Sequence, residues 1–545
     1  MTELHLPWLE ISILIPLIGA FWVNRIRDPD VARRACLVFS GLTLICAFSE
    51  WQDFDMLHVA EADDKWHFLS RILGRPILVI DHLSAPLLPL TALLFFLTAI
   101  ATLRTKIRRF SFPGMLVSEA LTLATFSCKE PIGVIILLAL STIPPYLELR
   151  AREKPTGVYV AHMSLFVAML ALGWGAVVAE GSEQVHSLWA LVPLLIAVFI
   201  RGGIVPVHCW MTDLFEHATF GTALMYVTPI AGAYAASRLV LPICPDWVLR
   251  SIGLVSLVTA VYAAGMAIVQ REARRFFCYL FLSHSALVFV GLEAVTPIGL
   301  TGGLSVWLSA ALALTGFGLT LRAIESRRGR IALVDFQGLY EHSPALAVCY
   351  ILTGLASVGF PGTSGFVGTE MLVDGAVIAY PYIGVTVVIA SALNGIAIVK
   401  SYFIIFTGTR HSATVSLKSR PREKAAVLTL TGLILIGGLI PQPGIATRFQ
   451  AAEELLMKRS ATPGVTDQPY DPDHSNDDHG GHVSGGKHTE SSNPKAPEKH
   501  EVKHEKKDAE TRDANVDAKG DAKGDAKGDA SEANKSDASK EGAEK

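Results

Sequence analysis

The chain of 545 residues is 51% hydrophobic with a mean hydropathy of +0.40, although its C-terminal part is strongly polar. A formal net charge of -3 excludes the strongly basic balance of a nucleic-acid binder, and the apolar content exceeds what soluble domains carry. The seven cysteines stand singly, mostly inside apolar runs; without a Cys-x-x-Cys pair to hold zinc or an iron–sulfur cluster, they read as small hydrophobes.

Apolar runs of the roughly 20 residues needed to cross a bilayer recur almost without pause. They cover 8–24, 35–50, 77–103, 112–129, 131–149, 157–180, 187–207, 218–242, 247–270, 275–294, 297–321, 343–380 with a break, 382–407 and 424–442, about fourteen in all. The first is preceded by acid rather than basic residues and lacks a small-residue cleavage site, which predicts a membrane helix and not a removed signal.

Basic residues gather in alternate connections. Arg25, Arg27, Arg33 and Arg34 follow the first run; Arg104, Lys106, Arg108 and Arg109 the third; Arg150, Arg152 and Lys154 the fifth. Arg271, Arg274 and Arg275 follow the ninth, Arg322, Arg327, Arg328 and Arg330 the eleventh, and Arg410, Lys418, Arg420, Arg422 and Lys424 the thirteenth. The positive-inside rule puts these connections in the cytoplasm of a bacterial-type inner membrane and both termini outside. The bare seventh-to-eighth connection fits a short re-entrant bend.

Helix breakers interrupt two runs at membrane depth. The seventh contains Arg201-Gly202-Gly203-Ile-Val-Pro206, and the twelfth contains Gly359-Phe-Pro361-Gly362-Thr-Ser-Gly365-Phe-Val-Gly368. The breaks lie five runs apart, and an odd repeat length inverts consecutive copies, as in transporters built from inverted repeats. Close packing or a kink is the plainer reading of such glycines and prolines. The first break opens a stretch with Arg201, His208, Asp213, Glu216 and His217. A charge near the bilayer centre costs roughly 2.5–3.5 kcal/mol even on lenient scales, so the stretch suggests an ion path.

Beyond Pro443 an amphipathic piece, Ile445 to Leu456, suits a membrane surface. The tail that follows, with His474, His479, His482 and the Asp-Ala-Lys-Gly repeat from Asp517, reads as a disordered, solvated tether; weak metal binding by its histidines is the alternative.

The broken segments, together with Ile80-Asp81-His-Leu83-Ser84, the run Gln270-Arg-Glu272-Ala-Arg274-Arg275 leading to Ser283-His284, and Asp335-Phe-Gln-Gly338-Leu339 leading to Pro344, resemble the antiporter-like subunits of respiratory complex I and of multisubunit cation/proton antiporters. The resemblance spans about 75 to 408 and is strongest over Gly338 to Leu372. It implies an all-α membrane protein of fourteen transmembrane helices with two inverted five-helix repeats, no cofactor of its own, and a mid-membrane chain of charged groups that moves protons.

Several of the family's charged positions are replaced here. Its fifth-span glutamate falls near Ala139, the lysine before the broken-helix histidine is Arg201, and the eighth-span lysine is Ile230. The eleventh run reads Ser309 to Thr315 without lysine or histidine, and the twelfth-span acid or lysine is Thr369, followed by Glu370. Arginine fixes a positive charge but cannot release a proton at accessible pH. Glu119, Asp213, Glu216 and Glu370 are its possible partners.

The proton-path candidates are therefore Arg201, His208, Asp213, His217, His284, Glu370 and Lys400, and the helix-break residues Gly202, Gly203, Pro206, Pro361, Gly362 and Gly365. Histidine titrates near neutrality and suits a relay. His208 is a relay group or a histidine bonded to freed carbonyls. Lys400 is a channel lysine or snorkels to the interface. Asp81 caps or pairs locally.

The expected organisation is 1–111 N-terminal helices, 112–242 and 247–408 five-helix repeats, 424–442 a last helix and 443–545 the amphipathic segment and tail. The expected function is a membrane subunit of a complex-I-like NADH-quinone oxidoreductase or related antiporter complex, with other membrane subunits, the lipid bilayer and protons or monovalent cations as partners. No nucleotide, quinone, metal or nucleic-acid site is expected. The alternative is a divergent membrane partner of an inorganic-carbon uptake system, or a scaffold, that has lost the usual pumping.

Overall fold

Apolar runs with a capping residue or proline at their start become helices, and they account for nearly all of the ordered structure. The computed structural model describes residues 2–67, 70–71, 74–102, 110–181, 185–379, 381–408, 421–462 and 465. The expected tail and the basic residues at 104–109, 410, 418 and 420 lie outside the described residues.

The helices are α1 Trp8–Val23, α2 Pro29–Leu57, α3 Leu87–Ile100, α4 Phe112–Ser127, α5 Pro131–Ser141, α6 Ile143–Ala151, α7 Gly157–Glu180, α8 Leu188–Gly202 and α9 Cys209–His217. They continue as α10 Phe220–Val227, α11 Ala231–Ala235, α12 Asp246–Val269, α13 Ala273–Glu293, α14 Pro297–Arg328, α15 Pro344–Ser357, α16 Ser364–Ala379, α17 Pro381–Phe406, α18 Pro421–Leu439 and α19 Gln442–Ser460. Among the described residues seven helices are long and apolar enough to cross a membrane, or eight if the pair α18 and α19, bent by 78°, is one span.

Local chemistry sets the starts. Asp28, Ser111, Thr219 and Thr296 accept hydrogen bonds from backbone amides of the first turns of α2, α4, α10 and α14, and Pro29, Pro113 and Pro297 occupy early positions where no amide is needed. At 32 residues α14 reaches about 48 Å and is buried along most of its length, forming the post against which α13, α15, α16, α18 and α19 pack.

Apart from the two glycine-rich breaks and the fifth run, which divides into α5 and α6, three features depart from the sequence reading. The third run begins as a strand: β1 Thr2–Glu3, β2 Glu61–Asp63 and β3 Val79–Asp81 form a small sheet, parallel between β1 and β2 and antiparallel between β2 and β3. The eighth run divides at Ile230, whose φ is +50°, before a π-helical turn at Ala236–Val240. The amphipathic piece is longer than expected and forms α19, which buries two arginines. Arg448 donates to the carbonyls of His82 (2.5 Å) and Leu83 (3.3 Å). Arg459 donates to those of Leu241 (2.6 Å) and Cys244 (2.6 Å) and to Asp246 (2.5 Å).

Candidate functional site

The two glycine-rich breaks fold into the same turn. In the first, Gly203 adopts φ +75° and closes α8: its amide donates to the Ile200 carbonyl (3.2 Å) and the Ile204 amide reaches back to Phe199 (2.9 Å). In the second, Gly359 adopts φ +79° and closes α15, with its amide on Ala356 (3.3 Å) and the Phe360 amide on Leu355 (3.2 Å). Both are Schellman ends, which need a residue without Cβ at the left-handed position. Two residues before each glycine stands Arg201 in one turn and Ser357 in the other.

Backbone groups released at membrane depth need partners inside the protein. The Ile200 carbonyl also accepts from Trp210 Nε1 (2.7 Å), the Gly202 carbonyl accepts from Ser285 (3.1 Å), and the Val205 amide donates to Thr259 (3.2 Å). The Val205–Pro206 bond is cis. A Cβ at Gly202 would lie 2.5 Å from the Phe289 ring, and one at Gly232 2.9 Å from the Gly202 amide. Small residues therefore let α11 and α13 close on the break.

Arg201 is buried and forms no ion pair with the described residues. Its guanidinium carbon lies 4.3 Å from the centre of the Tyr226 ring and 6.0 Å from that of Trp210, and Nη2 donates to the Tyr226 carbonyl (3.2 Å). The four acids weighed as partners are placed elsewhere. Glu119 accepts from Ser40 (2.8 Å), Asp213 holds His217 (3.1 Å), Glu216 holds Arg275 (2.5 Å) and Glu370 is exposed. Aromatic faces and a carbonyl thus take the role of a carboxylate.

The histidines of the candidate list differ in setting. His208 is buried between the rings of Tyr262 and Tyr279, each about 6.1 Å away, with a buried Nδ1 that has no partner among the described residues. His284 is buried beside the first break, and its Nδ1 donates to the Leu280 carbonyl (2.7 Å). A carbonyl can only accept, so this bond fixes the tautomer and leaves Nε2, which has no partner among the described residues, as the basic nitrogen. The neighbours of His284 bind outward. Ser283 donates to the Ala260 carbonyl (2.8 Å) and accepts from Asn394 (2.8 Å), which joins α12, α13 and α17.

Lys400 sits apart from this group. It is exposed and donates to the Ile268 carbonyl (2.9 Å) at the end of α12, where a cation suits the helix dipole. Pro361 and Gly362 are exposed, with Gly362 at φ +82°, whereas Gly365 is buried: its Cβ would meet the Ala356 carbonyl at 2.5 Å.

Several buried charges stand outside the sequence expectation. Asp81 caps locally as expected, accepting from the Ser84 amide (3.0 Å), but it also receives both guanidinium nitrogens of the distant Arg238, at 2.6 and 2.8 Å, and both side chains are buried. Glu50, fully buried on α2, has neither oxygen bonded among the described residues, and Glu10 nearby accepts from the Trp66 amide (2.6 Å). An acid inside each of the first two apolar runs was the available signal. Outside the spans, Glu61 bonds both Lys129 and Lys458; burial alone raises its carboxyl pKa, but the two ammonium donors outweigh it and hold the value below normal.

The cysteines carry no disulfide among the described residues, with Cys209 exposed and the rest buried, and no described group of His, Cys, Asp or Glu is arranged to hold a metal.

Comparison with known proteins places this geometry. Residues 157–394 match the family described as NADH:quinone oxidoreductase/Mrp antiporter, TM. NAD(P)H-quinone oxidoreductase chain 4 1 of Synechococcus elongatus is 26% identical over 482 residues, covering 81% of this chain and 90% of the relative. Chain 4 of Gloeobacter violaceus is 25% identical over 482 residues, covering 80% and 90%. Among solved structures, a chain of the Mrp complex from Dietzia sp. superposes with a TM-score of 0.72 at 18% identity, covering 82% of this chain and 97% of its own. A chain of respiratory complex I from Thermus thermophilus with bound NADH gives 0.71 at 20% identity, covering 82% and 99%. The fold with its two matched helix ends, the matched segment and the relatives aligned over most of both chains agree: the chain is similar to the quinone oxidoreductase chain 4 proteins, and shares its fold with chains of the Mrp complex and of respiratory complex I.

Proposed function

We propose that this protein is a membrane subunit of a complex-I-like NADH-quinone oxidoreductase or related antiporter complex, that it takes part in proton translocation, and that it has no redox centre of its own. The observation that carries the proposal is the pair of identical Schellman ends at Gly203 and Gly359, five apolar runs apart, with buried polar groups gathered at the first. Relatives named as quinone oxidoreductase chain 4 support the assembly and its other membrane subunits as partners.

In this reading the fourteen apolar runs are fourteen spans, 112–242 and 247–408 are inverted five-helix repeats, and both termini face away from the cytoplasm. The matched turns and the alternation of basic connections support it. Arg201 acts as a fixed positive charge, and Nε2 of His284 and the His208 ring are the groups that take up and release protons. Asp213 with His217 serves the side of the first half-site nearer Arg275. Lys400 and Glu370, both exposed, act at the protein surface, where neighbouring subunits would meet them.

Deleting the subunit from its host and measuring proton uptake by inverted membrane vesicles during quinone reduction tests the proposal. Pumping is expected to fall; unchanged pumping per electron would refute it.

A further inference from the structure

We propose that the end of the bundle near Arg152 holds an anionic phospholipid, its headgroup in a basic cavity and its acyl chains in an apolar groove that continues from it. The inference needs only that the chain spans a membrane, and it stands whether or not the protein pumps.

The headgroup cavity has a volume of about 300 Å³ and is lined by Arg152, Lys154, Arg274, Arg322 and Arg330 against the acids Glu216 and Glu325. The acids are already engaged. Glu325 receives Arg274 at 2.7 and 2.5 Å, and Glu216 receives Arg275 at 2.5 Å. Arg330 is paired with Glu272 (2.8 Å) and Arg152 with Glu148 (3.5 Å). That leaves Lys154 and Arg322 without an ion pair among the described residues. Arg322 is held in place by the Thr98 carbonyl (3.0 Å) and the Thr102 hydroxyl (2.9 Å), so its charge is positioned, with Glu325, Glu148 and Glu423 acting on it only at a distance. Such a pocket between membrane helices is complementary to a phosphate-bearing headgroup.

The groove adjoins it. Phe110 and Arg152 line both, and the groove, about 770 Å³, runs between α4, the α5 and α6 pair and α10 past Val117, Leu121, Leu140, Ile143 and Met225. Leu140, Ile143 and Leu147 on its wall are 41%, 44% and 54% exposed, so the groove opens sideways to the hydrocarbon as an acyl chain requires. A soluble anion would use the cavity and leave the groove empty; a partner helix would use the groove and leave Lys154 and Arg322 unneutralised. A lipid with a negative headgroup satisfies both at once.

The test is native mass spectrometry of the full chain in detergent, titrated with phosphatidylglycerol and with phosphatidylcholine of the same acyl chains. Phosphatidylglycerol is expected to bind about tenfold more tightly, as two cations without an ion pair among the described residues allow. Lys154→Gln, alone or with Arg322→Gln, should remove most of that preference, and Leu121→Trp should weaken both lipids by filling the groove. The single lysine variant, exposed and without a bonded partner, keeps the test valid if the arginine variant does not fold. Equal binding of the two lipids, an unchanged preference in Lys154→Gln, full binding by Leu121→Trp, or displacement by inorganic phosphate at comparable concentration would each overturn the proposal.

Discussion

Arg201 rests on the face of Tyr226 and donates to the carbonyl of that same residue, so one tyrosine serves a buried guanidinium with both its ring and its backbone. The charge is thereby held without a carboxylate, which separates its position from any acid's protonation. Replacing it by leucine should keep assembly intact and reduce proton uptake by inverted vesicles more than about tenfold, because the fixed positive charge is gone. Replacement by lysine should restore uptake with a new pH dependence, since a buried lysine can lose its proton and arginine cannot. Identical pH profiles for the arginine and lysine proteins would remove Arg201 from the electrostatics of transport.

The ion pair of Asp81 with Arg238 predicts a pattern in stability rather than transport. Asp81→Asn or Arg238→Gln alone should destabilise the purified subunit by about 3–5 kcal/mol, because each leaves a buried charge without its partner. The double replacement by leucine should recover much of that loss. Thermal unfolding in detergent reads all three, and additive losses in the double variant would contradict the argument.

Gly203 and Gly359 should respond alike to alanine. Each has a positive φ, and the new Cβ would lie 2.5 Å from Leu282 and 2.7 Å from Thr369 respectively, so each substitution should lower stability by about 1–3 kcal/mol. Gly175→Ala on α7 is the control, with nothing within 4 Å of the added carbon and an expected gain of up to about 1 kcal/mol.

The docking of α19 should depend on acid. The folded pKa of Glu61 is depressed by Lys129 and Lys458 despite burial, so the carboxylate's contribution is complete above the unfolded value of about 4.3 and is lost as pH falls through the lower folded value. Protection from hydrogen exchange in α19, taken relative to the intrinsic rate at each pH, is expected to be high at pH 6 and lower toward pH 3, and Glu61→Gln should remove most of this difference. The same pH response in the variant would assign it to another group.

A relay role for His284 predicts that His284→Leu preserves the fold, since only the bond to the Leu280 carbonyl is lost, while proton uptake falls at least about tenfold. Retained uptake would leave His284 a structural residue.

The helices were legible because hydrocarbon thickness imposes long apolar runs, and each apolar run that was read contains one or more helices. The breaks at Gly203 and Gly359 were legible for the same reason: few residues other than glycine tolerate those angles. What stayed hidden depends on residues far apart in sequence. Nothing local shows that Tyr226 will lie over Arg201, that Arg238 will reach Asp81, or that Lys400 will turn to the end of α12. Ile230 concealed a break because a β-branched residue rarely adopts a positive φ. Arg448 lies inside the piece expected on a membrane surface and Arg459 just beyond it, yet the carbonyls of His82 and Leu83 after β3, and of Leu241 and Cys244, draw both into the interior.

The paired turns match in backbone and differ in charge. A positive ion carried past Gly203 would meet the repulsion of a permanent cation, whereas past Gly359 it would meet only the dipole of Ser357. If the proposed ion path passes both turns, the step at Gly203 is the costlier one for a positive ion, in either direction of travel.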